Sequence, residues 1–213
     1  LFLWVDIIVI LCYCYGTTFE RIMMQKHTIF STPLYESSYS DSLQPIITGC
    51  KSLAQQSDFK VVTSANRGLQ SQDDLHNVPF IFPLMEWICH EAETVFSELG
   101  IDKEYLTIES SWFNINNQLN SFNQTHLHPG IVSGVFYLQA PEGSGNINFR
   151  NSGMNELWRG HRESVGARNV HNASNFTITP MPGKLYLWPS YMYHSVDTNS
   201  INVERMSIGF NLG

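Results

Sequence analysis

From Tyr105 to the C-terminus, apolar and polar residues alternate, and glycine, proline and asparagine cut the chain into short runs. A period of two buries one face of a run and wets the other, so the runs read as strands. Candidate strands cover 107–115, 131–139, 146–150, 175–179, 184–188, 193–197 and 204–212. This many short strands in succession predicts two facing sheets, a jelly roll. Ahead of them the spacing predicts two helices. One runs from the capping residues Ser40, Asp41 and Ser42 to about Gln56, with Leu43, Ile46, Ile47, Cys50 and Leu53 on one side. The other runs from Pro83 to Leu99, striped by Leu84, Trp87, Ile88, Val95, Phe96 and Leu99 and stopped at Gly100. The expected fold is mainly β: a double-stranded β-helix with two helices packed outside it.

Other segments say less. Residues 27–35 read as a short strand ending near Pro33, and the polar residues 57–79 read as a loop with little structure of its own. Residues 151–174 form a polar stretch with Gly153, Gly160 and Gly166, the texture of a lid or binding loop. Leu1 to Tyr15 is nearly all apolar but carries Asp6. It falls short of the roughly 20 residues that cross a bilayer, and it lacks the basic start of a signal peptide. Residues 1–22 are therefore expected to lie outside the functional fold. Residues 23–213 are expected to form one domain, its jelly-roll core at about 105–213. A membrane partner would require residues 1–15 to serve as an anchor.

Composition narrows the function classes. With 213 residues and 43% hydrophobic content, the chain can bury a core of its own. Its net charge is −7 and no lysine or arginine cluster is present, which opposes binding to a phosphate backbone. Cys12, Cys14, Cys50 and Cys89 have no CxxC spacing, so a reducing, cytoplasmic setting is expected. A glycan on the triplet Asn123-Gln124-Thr125 would sit three residues from His126 and obstruct it, which also weighs against a secretory route. Nothing in the sequence opposes an oligomer.

His126 and His128 are two apart, so a strand would aim both imidazoles to one face. His194 follows sixty-six residues after His128. Two close ligands and one distant ligand make the facial pattern of non-haem Fe(II) sites, with open positions for other molecules. A lone HxH is weak evidence, and the context strengthens it. Arg205 and Ser207 share a strand face eleven and thirteen residues after His194. An Arg fork beside a hydroxyl is built to grip a carboxylate. Glu204, the adjacent acid, would face the other way. His27, His76 and His90 read as structural or exposed, and His161 and His171 lack a short partner spacing.

Six motifs carry a resemblance. They are Ser111-Trp-Phe-Asn-Ile-Asn116, His126-Leu-His-Pro-Gly130, Ser133-Gly-Val-Phe-Tyr-Leu138, Gly183-Lys-Leu-Tyr-Leu-Trp-Pro-Ser190, His194-Ser-Val196 and Glu204-Arg-Met-Ser-Ile-Gly-Phe-Asn211. Together with Phe30-Ser-Thr-Pro-Leu34, the set resembles a 2-oxoglutarate/Fe(II) oxygenase family common in marine bacteria and their phages. The resemblance covers most of Met24 to Gly213. It implies Fe(II), 2-oxoglutarate and O2 as cofactor and co-substrates, with His126 and His194 as metal ligands. It also implies that Arg205, helped by Ser207, binds the far carboxylate of 2-oxoglutarate, with Tyr137 or Asn114 touching the same molecule. The wider superfamily has Asp or Glu where this chain has His128. His128 is read as the third ligand; the alternative places it beside the metal and leaves one position open. The expected reaction is hydroxylation of a small molecule or a protein side chain, with succinate and CO2 released. Trp158, Arg159, His161, Arg162 and Arg168 could read the substrate, or simply lie on a solvated loop. Two rivals remain: a three-histidine cupin-type dioxygenase that needs no keto acid, and a non-catalytic jelly roll holding a structural metal.

Overall fold

Each helix starts where a proline can start one. In the computed structural model, α1 (Gln44–Ala54) and α2 (Phe82–Glu98) both carry proline in the first turn, where the absent N–H removes no helical bond. The model describes residues 31–56, 65–151, 169 and 172–213. The α1 face formed by Ile46, Ile47 and Cys50 is buried, as is the α2 face of Leu84, Met85, Ile88, Ala92, Val95 and Phe96. Leu43 holds the N-cap position of α1, and of the expected caps Ser42 serves one place earlier, its Oγ accepting from the Gln44 N–H at 3.4 Å. Among the described residues no helix is long and apolar enough to cross a membrane.

The remaining elements are short antiparallel strands in two sheets. In chain order they are β1 (Tyr35–Ser38), β2 (Ala65–Asn66), β3 (Leu69–Gln70), β4 (Ile108–Asn116), β5 (Phe122–His126) and β6 (Val132–Gln139). Then come β7 (Ile147–Arg150), β8 (Asn175–Ile178), β9 (Lys184–Pro189), β10 (His194–Val196) and β11 (Arg205–Leu212). The larger sheet has the order β1-β9-β6-β11-β4-β3 and the smaller the order β2-β5-β10-β7-β8. Neighbours in space are remote in sequence, the signature of a double-stranded β-helix.

Three expectations need correction. The first strand begins at Tyr35, after Pro33, because its N–H groups are needed to pair with β9 from Tyr35↔Leu187 onward. The part of the expected strand before residue 31 lies outside the described residues. The segment 57–79 is not a bare loop: β2 and β3 extend both sheets, and Leu75 is buried. Lastly, β5 was absent from the expected strands, because Phe-Asn-Gln-Thr-His has no apolar alternation.

The larger sheet is buried on both faces. Its outer face carries Phe113, Ile115, Phe136, Leu185, Ile208 and Phe210 against the helices. Its inner face carries Val135, Tyr137, Tyr186 and Trp188 toward Ile147 and Phe149 of the smaller sheet. Phe136 joins helix and sheet layers, its ring 5.8 Å from Tyr39 and 6.0 Å from Trp87. Phe136 is fully buried, so Phe136→Ala should destabilise the fold by about 3–5 kcal/mol. Equilibrium denaturation measures this, and a loss below about 1 kcal/mol would contradict the packing described.

Candidate metal centre

Strand pairing brings the first two histidines together. β10 lies between β5 and β7, and His194 stands directly opposite His126 on one side and Phe149 on the other. Residues opposed in a ladder point to the same face, so both imidazoles enter the space between the sheets. His128 arrives differently from the expected strand period. β5 ends at His126, and His128 sits in the following turn, where Gly130 takes a φ of 94° that other residues rarely adopt. The His128 N–H donates to the Ser190 carbonyl at 3.2 Å.

The three rings converge. Centroid separations are 4.9 Å for His126–His128, 4.4 Å for His126–His194 and 5.1 Å for His128–His194. One nitrogen from each lies within 4.8 Å of the others. The tautomers suit a metal. His126 Nδ1–H donates to the Gln124 carbonyl at 2.6 Å and His194 Nδ1–H to the Met192 carbonyl at 3.0 Å. Each leaves Nε2 with a free lone pair, the usual arrangement of ligating histidines. Burial holds His128 down to about 4 and His194 down to about 3, with the neighbouring His126 adding to both shifts. His126 is also lowered by burial, opposed by its bond to Gln124. All three are therefore neutral at pH 7, as coordination requires. A partly buried set of neutral imidazoles fits a divalent transition metal such as iron.

The cluster opens onto a cavity of about 390 Å³ whose wall also includes Asn114, Tyr137, Arg205 and Ser207. Cross-strand register assembles this far end: Ser207 is opposite both Asn114 and Tyr137, and Arg205 is opposite Asn116. The Arg205 guanidinium is 3% exposed and donates to Asn116 Oδ1 at 2.9 Å and to the Ser144 carbonyl at 3.3 Å. Its Nε–H has no partner, and neither has the buried indole N–H of Trp188, another wall residue. Burial lowers the Arg205 pKa, opposed by the Tyr137 phenol beside it. Burial pushes that phenol up to about 12, so it stays a neutral donor. A buried cation with an unused N–H and other donors around it fits an anion such as a carboxylate. Glu204 pairs instead with Lys51 at 2.8 Å.

All four expected anion-site residues thus reach one cavity with the three histidines. Asn116 and Trp188 were missed, although Asn116 is two residues from Asn114 on the same strand face. Gln70 and Asp73, from the segment read as a loop, also reach the cavity wall. His76 is structural, its Nδ1 3.0 Å from Ser111 Oγ, and His90 is exposed. Trp158, Arg159, His161, Arg162, Arg168 and His171 lie outside the described residues.

Residues 110–211 match the family model for a 2OG-Fe(II) oxygenase. The chain carries a 2OG-Fe(II) oxygenase domain. A Pseudomonas putida prolyl-4-hydroxylase superposes with a TM-score of 0.61 at 12% identity, covering 85% of this chain and 92% of that one. A Trichoplax adhaerens prolyl hydroxylase, solved with a hypoxia inducible factor oxygen degradation domain peptide fragment, gives 0.58 at 13% identity, covering 84% and 82%. HygX from Streptomyces hygroscopicus, with nickel and 2-oxoglutarate bound, gives 0.56 at 10% identity, covering 85% and 83%. At such identities these structures establish the fold. No curated protein sequence matches the chain. The family works with Fe(II) and 2-oxoglutarate, and the oxygenase domain contains the whole histidine cluster and Arg205.

The lowered histidine pKa values carry a pH dependence. The unfolded chain binds protons near the ordinary histidine value of 6.5, whereas folded His128 and His194 resist them down to about 4 and 3. Protons therefore favour the unfolded state increasingly below pH 6.5. The melting temperature of the metal-free oxygenase should fall as pH drops from 7 toward 4, and less steeply in His194→Gln. Equal slopes in the two proteins would contradict the assigned burial.

Proposed function

We propose that the oxygenase hydroxylates an organic substrate at a metal held by His126, His128 and His194, using 2-oxoglutarate gripped by Arg205. The balanced reaction takes substrate, O2 and 2-oxoglutarate to hydroxylated substrate, succinate and CO2. The observation that carries this reading is the pairing of three neutral imidazoles and a buried guanidinium with an unpartnered Nε–H in the wall of one cavity. When bound, Fe(II) supplies the redox chemistry that couples O2 to substrate oxidation.

The chain's own groups do the rest. Arg205 binds the far carboxylate of 2-oxoglutarate, and the Ser207 hydroxyl donates to the same group. Tyr137, held neutral by burial, keeps its O–H available as a donor, and Asn114 offers an amide from the other side of Ser207. Asn116 and the Ser144 carbonyl aim the guanidinium and fix its depth. Val135, Ile147 and Trp188 line the cavity with apolar surface that keeps water from the reacting atoms.

The substrate is a small molecule or a protein side chain. Both classes have support among fold relatives: the Trichoplax enzyme was solved with a peptide fragment, and HygX also with hygromycin B. The reaction belongs in a reducing compartment, the cytoplasm, where Cys50 and Cys89 persist as the free thiols observed.

Succinate release from 2-oxoglutarate without added substrate tests this reading. His194→Ala should abolish it. Arg205→Met should raise the KM for 2-oxoglutarate about tenfold or more, the effect of losing a charge-assisted bond of about 1.5–3 kcal/mol. Unchanged succinate production by His194→Ala would overturn the assignment. An unchanged KM in Arg205→Met would overturn the role given to Arg205, and oxygen uptake with no succinate from the unaltered chain would favour an oxygenase that needs no keto acid.

A further inference from the structure

His128 lacks the strand ladder that orients His126 and His194, yet its ring centroid lies 4.9 and 5.1 Å from theirs, against 4.4 Å between the paired two. Something else holds it. Its N–H donates to the Ser190 carbonyl, and the Ser190 N–H donates to the Ile131 carbonyl at 3.0 Å. Residue 190 thereby grips the 128–131 turn at both ends. Ser190 Oγ is in turn 2.8 Å from Ser133 Oγ, Ser133 Oγ–H donates to Asn211 Oδ1 at 2.8 Å, and Asn211 Nδ2–H donates to Ser110 Oγ at 3.0 Å. Ser133 and Ser190 are each 1% exposed and Asn211 is 4% exposed. With Ser190 as donor to Ser133, every bond in this chain runs the same way, which strengthens each one.

We propose that Asn211, acting through Ser133 and Ser190, is a positioning residue that sets His128 in the metal ligand set. The proposal rests on the reading of His126, His128 and His194 as ligands. Burying this many polar groups gains little stability over an apolar core of the same shape, because their desolvation offsets their bonds. What the network adds is a fixed geometry for a loop that carries a ligand. β11 supports the same histidine a second way. Gly209, one inward position before Asn211, leaves room for the Trp112 ring, which would lie 2.7 Å from any Cβ there. That ring sits 5.5 Å from the His128 ring. Two successive inward residues of β11 thus act on His128, one through a hydrogen-bond chain and one through an aromatic wall.

The test is Ni(II) binding to the full chain after chelation, measured by calorimetry, with thermal melts as a fold check. Asn211→Leu and Ser133→Ala should each weaken Ni(II) binding about tenfold, the low end of the effect of losing an outer partner of a ligand. In a His128→Ala background the same substitutions should have no further effect, because the residue they act through is gone. Equal weakening in both backgrounds would overturn the proposal and mark a general structural role. Unchanged affinity in the single variants would also overturn it. If Asn211→Leu does not fold, Ser133→Ala decides alone. Unchanged Ni(II) affinity in His126→Ala and His194→Ala would instead remove the metal site itself, and this proposal with it.

Discussion

The pairing of β5 with β10 is the constraint on which the rest of the site depends. His126 and His194 face the same space only because they are directly opposed in that ladder. A slip of one residue would turn either imidazole to the outside of the smaller sheet. The ladder is irregular beyond this pair, since Val196 lies opposite Asn123. Such a bulge is common beside functional sites, where it re-aims side chains. On its other side β10 is fixed by β7, whose Phe149 packs against Trp188 at 5.0 Å. The position of two candidate ligands is therefore set by backbone bonds and an aromatic contact, with the third tied in from the larger sheet.

The electrostatics of the cavity follow from its burial. Three imidazoles are forced to be neutral, and a guanidinium is kept charged among backbone carbonyls and an asparagine. Neither is comfortable without a ligand. Lone pairs aimed at one point await a cation, and a buried cation with an unused N–H awaits an anion. A chelating keto acid that bridges a metal and a distant arginine would answer both needs at once. The larger sheet provides the span: Arg205, Ser207, Gly209 and Asn211 succeed one another along the inward face of β11. The proposed anion-binding end and the proposed ligand-supporting end thus belong to a single strand.

Much of this was legible in the sequence wherever a period of two operates. Arg205 with Ser207, and the apolar strands around Phe136 and Leu187, follow from alternation alone. The helices follow from their apolar stripes. His128 was placed in the cluster for the wrong reason, since a glycine turn and a bond to Ser190 bring it there, and neither leaves a periodic mark. β5 escaped notice because its residues are polar, its pairing being the work of its neighbours. β2 and β3, two residues each, are too short to carry any pattern. Asn116 and Trp188 read as an ordinary strand polar residue and an ordinary core aromatic. Their roles appear only when register sets Asn116 opposite Arg205 and the packing of one sheet on the other brings the Trp188 ring to 5.0 Å from His194.

The central claim is that one cavity binds a metal at the histidines and 2-oxoglutarate against Arg205. Anaerobic addition of 2-oxoglutarate to the Fe(II)-loaded protein, followed by visible absorption, tests it most directly. The account predicts a weak charge-transfer band that saturates with 2-oxoglutarate, is lost in His194→Ala, and needs more 2-oxoglutarate in Arg205→Met. A folded, iron-loaded protein that shows no band at any concentration of 2-oxoglutarate would contradict it.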